Sequence, residues 1–223
     1  MAIRVLLMDF YGTLVQEDEQ LTRTLCREIC ERSPQNIQPG DVSRVWWELL
    51  NVAYDACHGA NFMPLCHIQQ ALLEELCAKF ESRCDPAEMM ARIRQSWEQP
   101  RAYAELRAFL TRLPLPMCVL SNADRDVFEA ACRHLQLRFP HTVLSEDARS
   151  YKPRGEMFVQ AMQEMNARPD EVLMVGDSLR YDMQPAIDLG MHTVWLNRNG
   201  RSRGDVKIDG ALKDLLQLKG MMK

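Results

Sequence analysis

The chain has 223 residues, 47% of them hydrophobic and 26% charged, with a formal net charge of −4. That balance excludes wholesale disorder and gives no broad electrostatic pull on nucleic acid or an anionic membrane. No apolar run approaches the roughly 20 residues of a spanning helix. The apolar start at residues 3–8 is too short for a secretory signal and is interrupted by Asp9. A cytoplasmic protein with neither nucleic-acid nor membrane partners is therefore expected. The length exceeds a typical domain of roughly 150 residues, which fits one domain carrying a large insertion.

Residues 3–8 read as a short buried strand, broken by Gly12 and Thr13. From residue 17 to 99 only helical periodicity appears. Turn signals at Ser33-Pro34, Pro39-Gly40, Met63-Pro64 and Asp85-Pro86 divide it into helices over 18–32, 40–57, 65–81 and 86–98. Six of the eight cysteines lie in the first 84 residues. Cys57-His58 and Cys66-His67 invite a zinc reading, but there is no CxxC and the spacing matches no structural zinc site, so packed free thiols are expected.

After Pro100 strands alternate with helices: strands at 117–120, 142–144, 172–175, 192–196 and 206–208, with helices at 124–136, 155–166, 182–189 and 210–219. Alternation requires crossovers, hence parallel pairing. The expected fold is a doubly wound, Rossmann-like α/β core formed by residues 1–15 and 100–223, with an all-helical cap inserted over 16–99. Ligands bind such sheets at the carboxyl ends of the strands.

Four groups stand at those ends: Asp9-Phe10-Tyr11-Gly12-Thr13-Leu14, Ser121-Asn122, Lys152-Pro153, and Gly176-Asp177-Ser178 continuing to Asp182. Each is weak alone; their order and placement are not. The constellation resembles the haloacid-dehalogenase-like (HAD) hydrolase superfamily over essentially the whole chain. That resemblance implies a hydrolase in which Asp9 is a nucleophile forming a covalent ester or aspartyl phosphate. Ser121, Asn122 and Thr13 would bind the substrate's anionic group, and Lys152 would stabilise the intermediate. Asp177 and Asp182, with Asp9 and position 11, would hold Mg²⁺. The substrate is expected to be a small anionic metabolite.

The chemistry supports this assignment. Positioning and desolvation make a carboxylate a workable nucleophile, and the Ser121 hydroxyl with helix-start N–H groups can bind an oxyanion. Asp9, Asp177 and Asp182 against Lys152 leave an excess negative charge that a divalent cation would resolve, and an oxygen-only site suits Mg²⁺. Ser178 reads as a helix cap, a role also open to Asp182.

Position 11 departs from the superfamily's phosphatases, which usually carry a second Asp there as general acid–base. Here it is Tyr11, as in the 2-haloacid dehalogenases, whose halide leaves without a proton. Those dehalogenases, however, usually lack the acid matching Asp177. They also present an early cap Arg to the halide, where this chain has Trp46-Trp47-Glu48. Arg44 is nearby, but one helical position turns a side chain by about 100°. Phosphonate cleavage would need a cap lysine, and the only one, Lys79, lies far from the early cap. The leading reading is a Mg²⁺-dependent phosphate hydrolase. A 2-haloacid dehalogenase and a weakened enzyme kept as a binding protein stay open. Without an acid at position 11, phosphates with good leaving groups should react best, unless Tyr11 or a cap residue donates the proton. Trp46, Trp47, Tyr54, His58 and Phe62 are candidates to line the cap face over Asp9. The sequence is silent on oligomeric state.

Overall fold

The computed structural model describes residues 2–113 and 115–220. Strand β1 (Val5–Met8) is buried along its whole length and lies inside a six-stranded parallel sheet. The other strands are β2 (Met117–Ser121), β3 (His141–Leu144), β4 (Val172–Gly176), β5 (His192–Leu196) and β6 (Gly210–Leu212), in the order β3-β2-β1-β4-β5-β6. The chain runs outward from β1 to β3 and then returns to β4 on the other side. This creates a topological switch between β1 and β4, where open α/β sheets form their binding crevice.

Alternate residues of β1 face opposite sides. Leu6 and Met8 pack with Val119, Val175, Phe109 and Phe128, while Val5 and Leu7 pack with Leu120, Met174, Phe158 and Ala186. Both faces are covered, which explains why these strands read as continuous apolar runs rather than alternating ones.

Between β1 and β2 lie α1 (Glu19–Glu31), α2 (Pro39–Ala56), α3 (Leu65–Lys79) and α4 (Pro86–Glu98), close to the expected spans. Asp18 and Asp85 cap α1 and α4 by accepting from Leu21 N and Ala87 N, and Pro39 and Pro86 occupy first-turn positions that need no N–H partner. The four helices share an apolar core that includes Leu25, Ile29, Val42, Leu73 and Leu76. Polar links fasten this layer to the sheet domain. The buried Asp124 carboxylate accepts from Leu65 N (2.6 Å) and Cys66 N (2.8 Å), capping α3, and Arg94 pairs with Asp126 at 2.6 Å.

The short helices α5 (Leu106–Arg112) and α7 (Ser145–Ala148) are additions to the sequence reading. Helices α6 (Arg125–Leu135) and α8 (Glu156–Glu164) fall where expected. The helix expected over 182–189 opens instead as a π turn, Leu179–Met183, that passes into α9 (Gln184–Asp188).

The C-terminal expectation needs correcting. Residues 206–208 form no strand and 210–219 no α-helix. Strand β6 begins at Gly210, level with Val194, and Leu215–Gly220 is a 3-10 turn. The Asp209 carboxylate accepts from Thr193 N (2.7 Å), so a side chain takes a ladder position at the sheet edge just before β6, while Val206 and Ile208 pack as a loop against the sheet. No helix among the described residues is long and apolar enough to cross a membrane.

Candidate active site

Strand register brings the four groups to one place. Met8 is level with Val119 on one side and Val175 on the other. Asp9, Ser121 and Asp177 therefore emerge at neighbouring strand ends. Asp9 N still donates to Val175 O at 3.0 Å, so the backbone at residue 9 is held by the sheet.

The Lys152 ammonium lies between two carboxylates, 2.7 Å from Asp9 Oδ1 and 2.6 Å from Asp182 Oδ1. All three side chains are less than one-tenth exposed. Burial alone would lower the lysine's pKa, but the charges of Asp182 and Asp9 outweigh it and raise it above the ordinary value. Asp9, Asp177 and Asp182 each offer an oxygen within 4.8 Å of the others. Asp182 is pushed upward by burial and by Asp9 and Asp177, against the pull of Lys152. Asp177 is raised by burial, then by Asp9 and Glu17, while Arg201, whose Nη2 is 3.3 Å from Asp177 Oδ2, opposes the shift.

Two glycines make room for this cluster. A Cβ on Gly176 would stand 2.3 Å from Asp182 Oδ2, and one on Gly12 would stand 2.7 Å from Asp177 Oδ1. Gly12 also has φ +85°, a conformation side-chain-bearing residues rarely adopt. The loop it belongs to is closed by Phe10 O, which accepts from Thr13 N, Leu14 N and Val15 N.

At this site the buried oxygens Asp9 Oδ2 and Thr13 Oγ1 have no hydrogen-bond partner among the described residues. Leaving a buried polar atom unpaired costs about 1–3 kcal/mol, more for a charged group, so such atoms ask for a ligand. The donor set fits Mg²⁺: carboxylates only, one of them with a covered and uncommitted oxygen, and three negative charges set against Lys152 and the half-exposed Arg201.

The sequence model for haloacid dehalogenase-like hydrolases matches residues 3–190. The chain belongs to the haloacid dehalogenase-like hydrolase family. It is 27% identical over 198 residues to glyceraldehyde 3-phosphate phosphatase of Pyrococcus furiosus, covering 86% of this chain and 80% of that protein. Among solved structures, an L-2-haloacid dehalogenase superposes with a TM-score of 0.79 at 21% identity, covering 100% of this chain and 99% of the other. A HAD hydrolase from Bacillus subtilis bound to magnesium gives 0.75 at 18% identity, covering 100% and 99%.

Against this family background, the structure reassigns several of the anticipated residues. Asn122 was expected to bind the substrate's anion. Its amide is instead committed to the main chain of Lys152: Oδ1 accepts from Lys152 N at 2.7 Å and Nδ2 donates to Lys152 O at 3.0 Å. Tyr11 was expected at the reacting centre and the metal. Its hydroxyl donates to Trp97 O (2.8 Å) at the end of α4, and burial drives its pKa far above the ordinary value, helped by Cys132, Cys66, Glu98 and Asp124. The phenol thus points to the helical layer and not into the Asp9, Asp177 and Asp182 cluster.

Ser121 and Thr13 are buried at the site, and Thr13 O accepts from Arg198 Nη2 at 3.1 Å. Ser178 is the cap it was read to be, its Oγ accepting from Tyr181 N at 3.0 Å. Asp182 does more than cap: its Oδ2 accepts from the N-cap N–H of Ser178 (3.0 Å) while Oδ1 meets Lys152.

Of the residues considered for lining the layer above Asp9, Tyr54 and Phe62 reach the sheet domain by stacking on Tyr151. Trp46 is buried inside the layer, its indole N–H donating to Gln69 Oε1, and Trp47 is half exposed. Arg44 lies at the surface in ion pairs with Asp41 and Glu48.

One acidic residue escaped the sequence reading. Glu17 lines a cleft of about 880 Å³ together with Gly12, Tyr103, Asp177 and Arg201. The cleft walls, then the like charges of Asp9, Glu19 and Asp182, raise its pKa to about 7, with Arg201 opposing. The residue stands at the exposed mouth of the cleft. In sequence, Gln16-Glu17-Asp18-Glu19 looks like an ordinary solvated helix entry.

Proposed function

We propose that this HAD hydrolase is a Mg²⁺-dependent phosphatase acting on a small phosphorylated metabolite, with residues 16–99 serving as a cap over the core. The observation that carries the reading is the retained Asp177 carboxylate, clustered with Asp9 and Asp182 around an Asp9 oxygen that has no partner. A halide-releasing enzyme has no use for a third carboxylate there, and Arg44, the arginine beside the Trp46-Trp47-Glu48 segment in sequence, is engaged at the surface. The phosphatase relative named above agrees with this choice.

Asp9, Asp177 and Asp182 would hold the ion, which supplies neutralising positive charge beside the phosphoryl oxygens. Tyr11 has only its main-chain carbonyl to offer, since its hydroxyl is engaged. Lys152 holds the Asp9 carboxylate in place through Oδ1, and Asp9 would attack phosphorus. The P–O bond to the leaving group breaks as the aspartyl phosphate forms. Water then attacks phosphorus, releasing inorganic phosphate and restoring Asp9. The Ser121 and Thr13 hydroxyls would donate to phosphoryl oxygens. With the Tyr11 proton engaged, Glu17 is the cleft carboxyl suited to protonate a departing alkoxide.

The test is phosphate release from an aryl phosphate with Mg²⁺, lost on adding a chelator and in Asp9→Asn. The second reading, a 2-haloacid dehalogenase, is favoured by Tyr11. Chloride release from 2-chloropropionate without metal would establish it in place of the first.

A further inference from the structure

We propose that Tyr151 is a positioning residue, coupling placement of the Lys152 ammonium to docking of the helical layer through an aromatic sandwich with Tyr54 and Phe62. The inference rests on the reading of Lys152 as part of the catalytic site. Tyr151 belongs to the sheet domain's chain, just after α7, yet its side chain is wholly buried in the apolar core of the helical layer. Its ring stacks on Tyr54 at 4.6 Å and 14° on one side, and on Phe62 at 5.3 Å and 23° on the other. Its hydroxyl donates to Met63 O at 2.7 Å. Two residues earlier, Arg149 and Gly59 exchange hydrogen bonds: Gly59 N donates to Arg149 O (2.8 Å), and Arg149 Nε donates to Gly59 O (2.9 Å). The segment 149–151 is thus strapped to 59–63.

The next residue is Lys152, whose main chain is gripped from the other side by Asn122. The lysine therefore leaves the backbone between two anchors, one on β2's end and one in the helical layer. Its ammonium must then meet Asp9 and Asp182 at once, within 2.7 and 2.6 Å. A side chain held to two partners at such distances tolerates little backbone drift, and a shift on the order of 1 Å near a reacting centre costs up to about 100-fold in rate. An ordinary core tyrosine would be worth only its packing; the residue that follows this one makes its position consequential.

The experiment compares Tyr151→Leu, Tyr151→Phe and Phe62→Leu in the full chain. The first readout does not depend on turnover. It is the rate at which an amine-reactive reagent labels Lys152, measured by mass spectrometry against the exposed Lys79 in the same molecule. Tyr151→Leu and Phe62→Leu should raise Lys152 labelling relative to Lys79 by about tenfold or more, whereas Tyr151→Phe, which keeps the stack, should stay within about threefold of wild type.

The second readout is steady-state kinetics with an aryl phosphate. There kcat should fall by about 10- to 100-fold in the leucine variants with KM changed by less than about threefold, and the phenylalanine variant should restore it. Should Tyr151→Leu fail to fold, Phe62→Leu carries both readouts. Folded leucine variants with unchanged Lys152 labelling would overturn the proposal. Altered labelling in a protein that turns over no phosphate would uphold the coupling while refuting the phosphatase reading.

Discussion

Asn122 grips Lys152, 30 positions further along the chain, by both of its main-chain groups. The amide is spent on the peptide, so its contribution to the reaction passes through the lysine. Asn122→Ala should lower kcat by about 10- to 100-fold and leave KM within about threefold of wild type. A residue that bound the substrate's anion would raise KM instead. Steady-state kinetics on the folded variant, checked by circular dichroism, separates the two.

Gly12 is fixed by two constraints that act together, a positive φ and the Asp177 carboxylate 2.7 Å from where a Cβ would stand. Gly12→Ala should cost about 1–3 kcal/mol of stability from backbone strain, measurable by urea unfolding. It should also displace Asp177 from the carboxylate cluster, raising the Mg²⁺ concentration needed for half-maximal phosphate release by about tenfold or more. An unchanged Mg²⁺ requirement would place Asp177 outside the metal site.

Because the Tyr11 hydroxyl donates to Trp97 O and does not point into the Asp9, Asp177 and Asp182 cluster, Tyr11→Phe should keep phosphate release within about threefold of wild type. It should lose about 1–2 kcal/mol of stability for the unpaired carbonyl. Tyr11→Asp, the substitution that would restore the usual acid of the family's phosphatases, places a carboxylate in a buried pocket near Glu98 and Asp124. It should therefore destabilise the fold before it can help the chemistry.

Glu17 has its pKa raised to about 7, so its protonated, donating form is lost as pH rises through that value. Turnover of an alkyl phosphate, which needs the proton, should therefore decline above about pH 7. Turnover of an aryl phosphate with a good leaving group should decline less. Glu17→Gln should slow the alkyl substrate by about 10-fold or more and largely spare the aryl one. Equal losses on both substrates would assign Glu17 to binding.

Much of this arrangement could be read from the chain itself. Buried parallel strands leave unbroken apolar runs, and Asp18, Pro39 and Asp85-Pro86 mark helix starts with groups that satisfy or dispense with first-turn N–H donors. Asp9, Ser121 and Asp177 stand at or just past strand ends and Lys152 follows β3 beyond α7, so their order along the chain was legible. What stayed hidden depended on partners distant in sequence. Asn122 carries the same side chain whether it holds a phosphate or the peptide 30 residues away. Glu17 sits in a polar run whose approach to Asp177 appears only when the cleft closes round it. The edge strand Gly210–Leu212 has little strand propensity of its own and forms because β5 offers a free edge and Asp209 begins the pairing.

The most direct test of Asp9 as a phosphoryl acceptor is mass spectrometry of the acid-quenched enzyme during turnover of an aryl phosphate with Mg²⁺. A phosphoryl group should be found on the peptide containing Asp9, disappearing on chase with water and absent from Asp9→Asn, which should release no phosphate. Phosphate release persisting in Asp9→Asn, with no phosphorylated peptide in the wild type, would contradict the account.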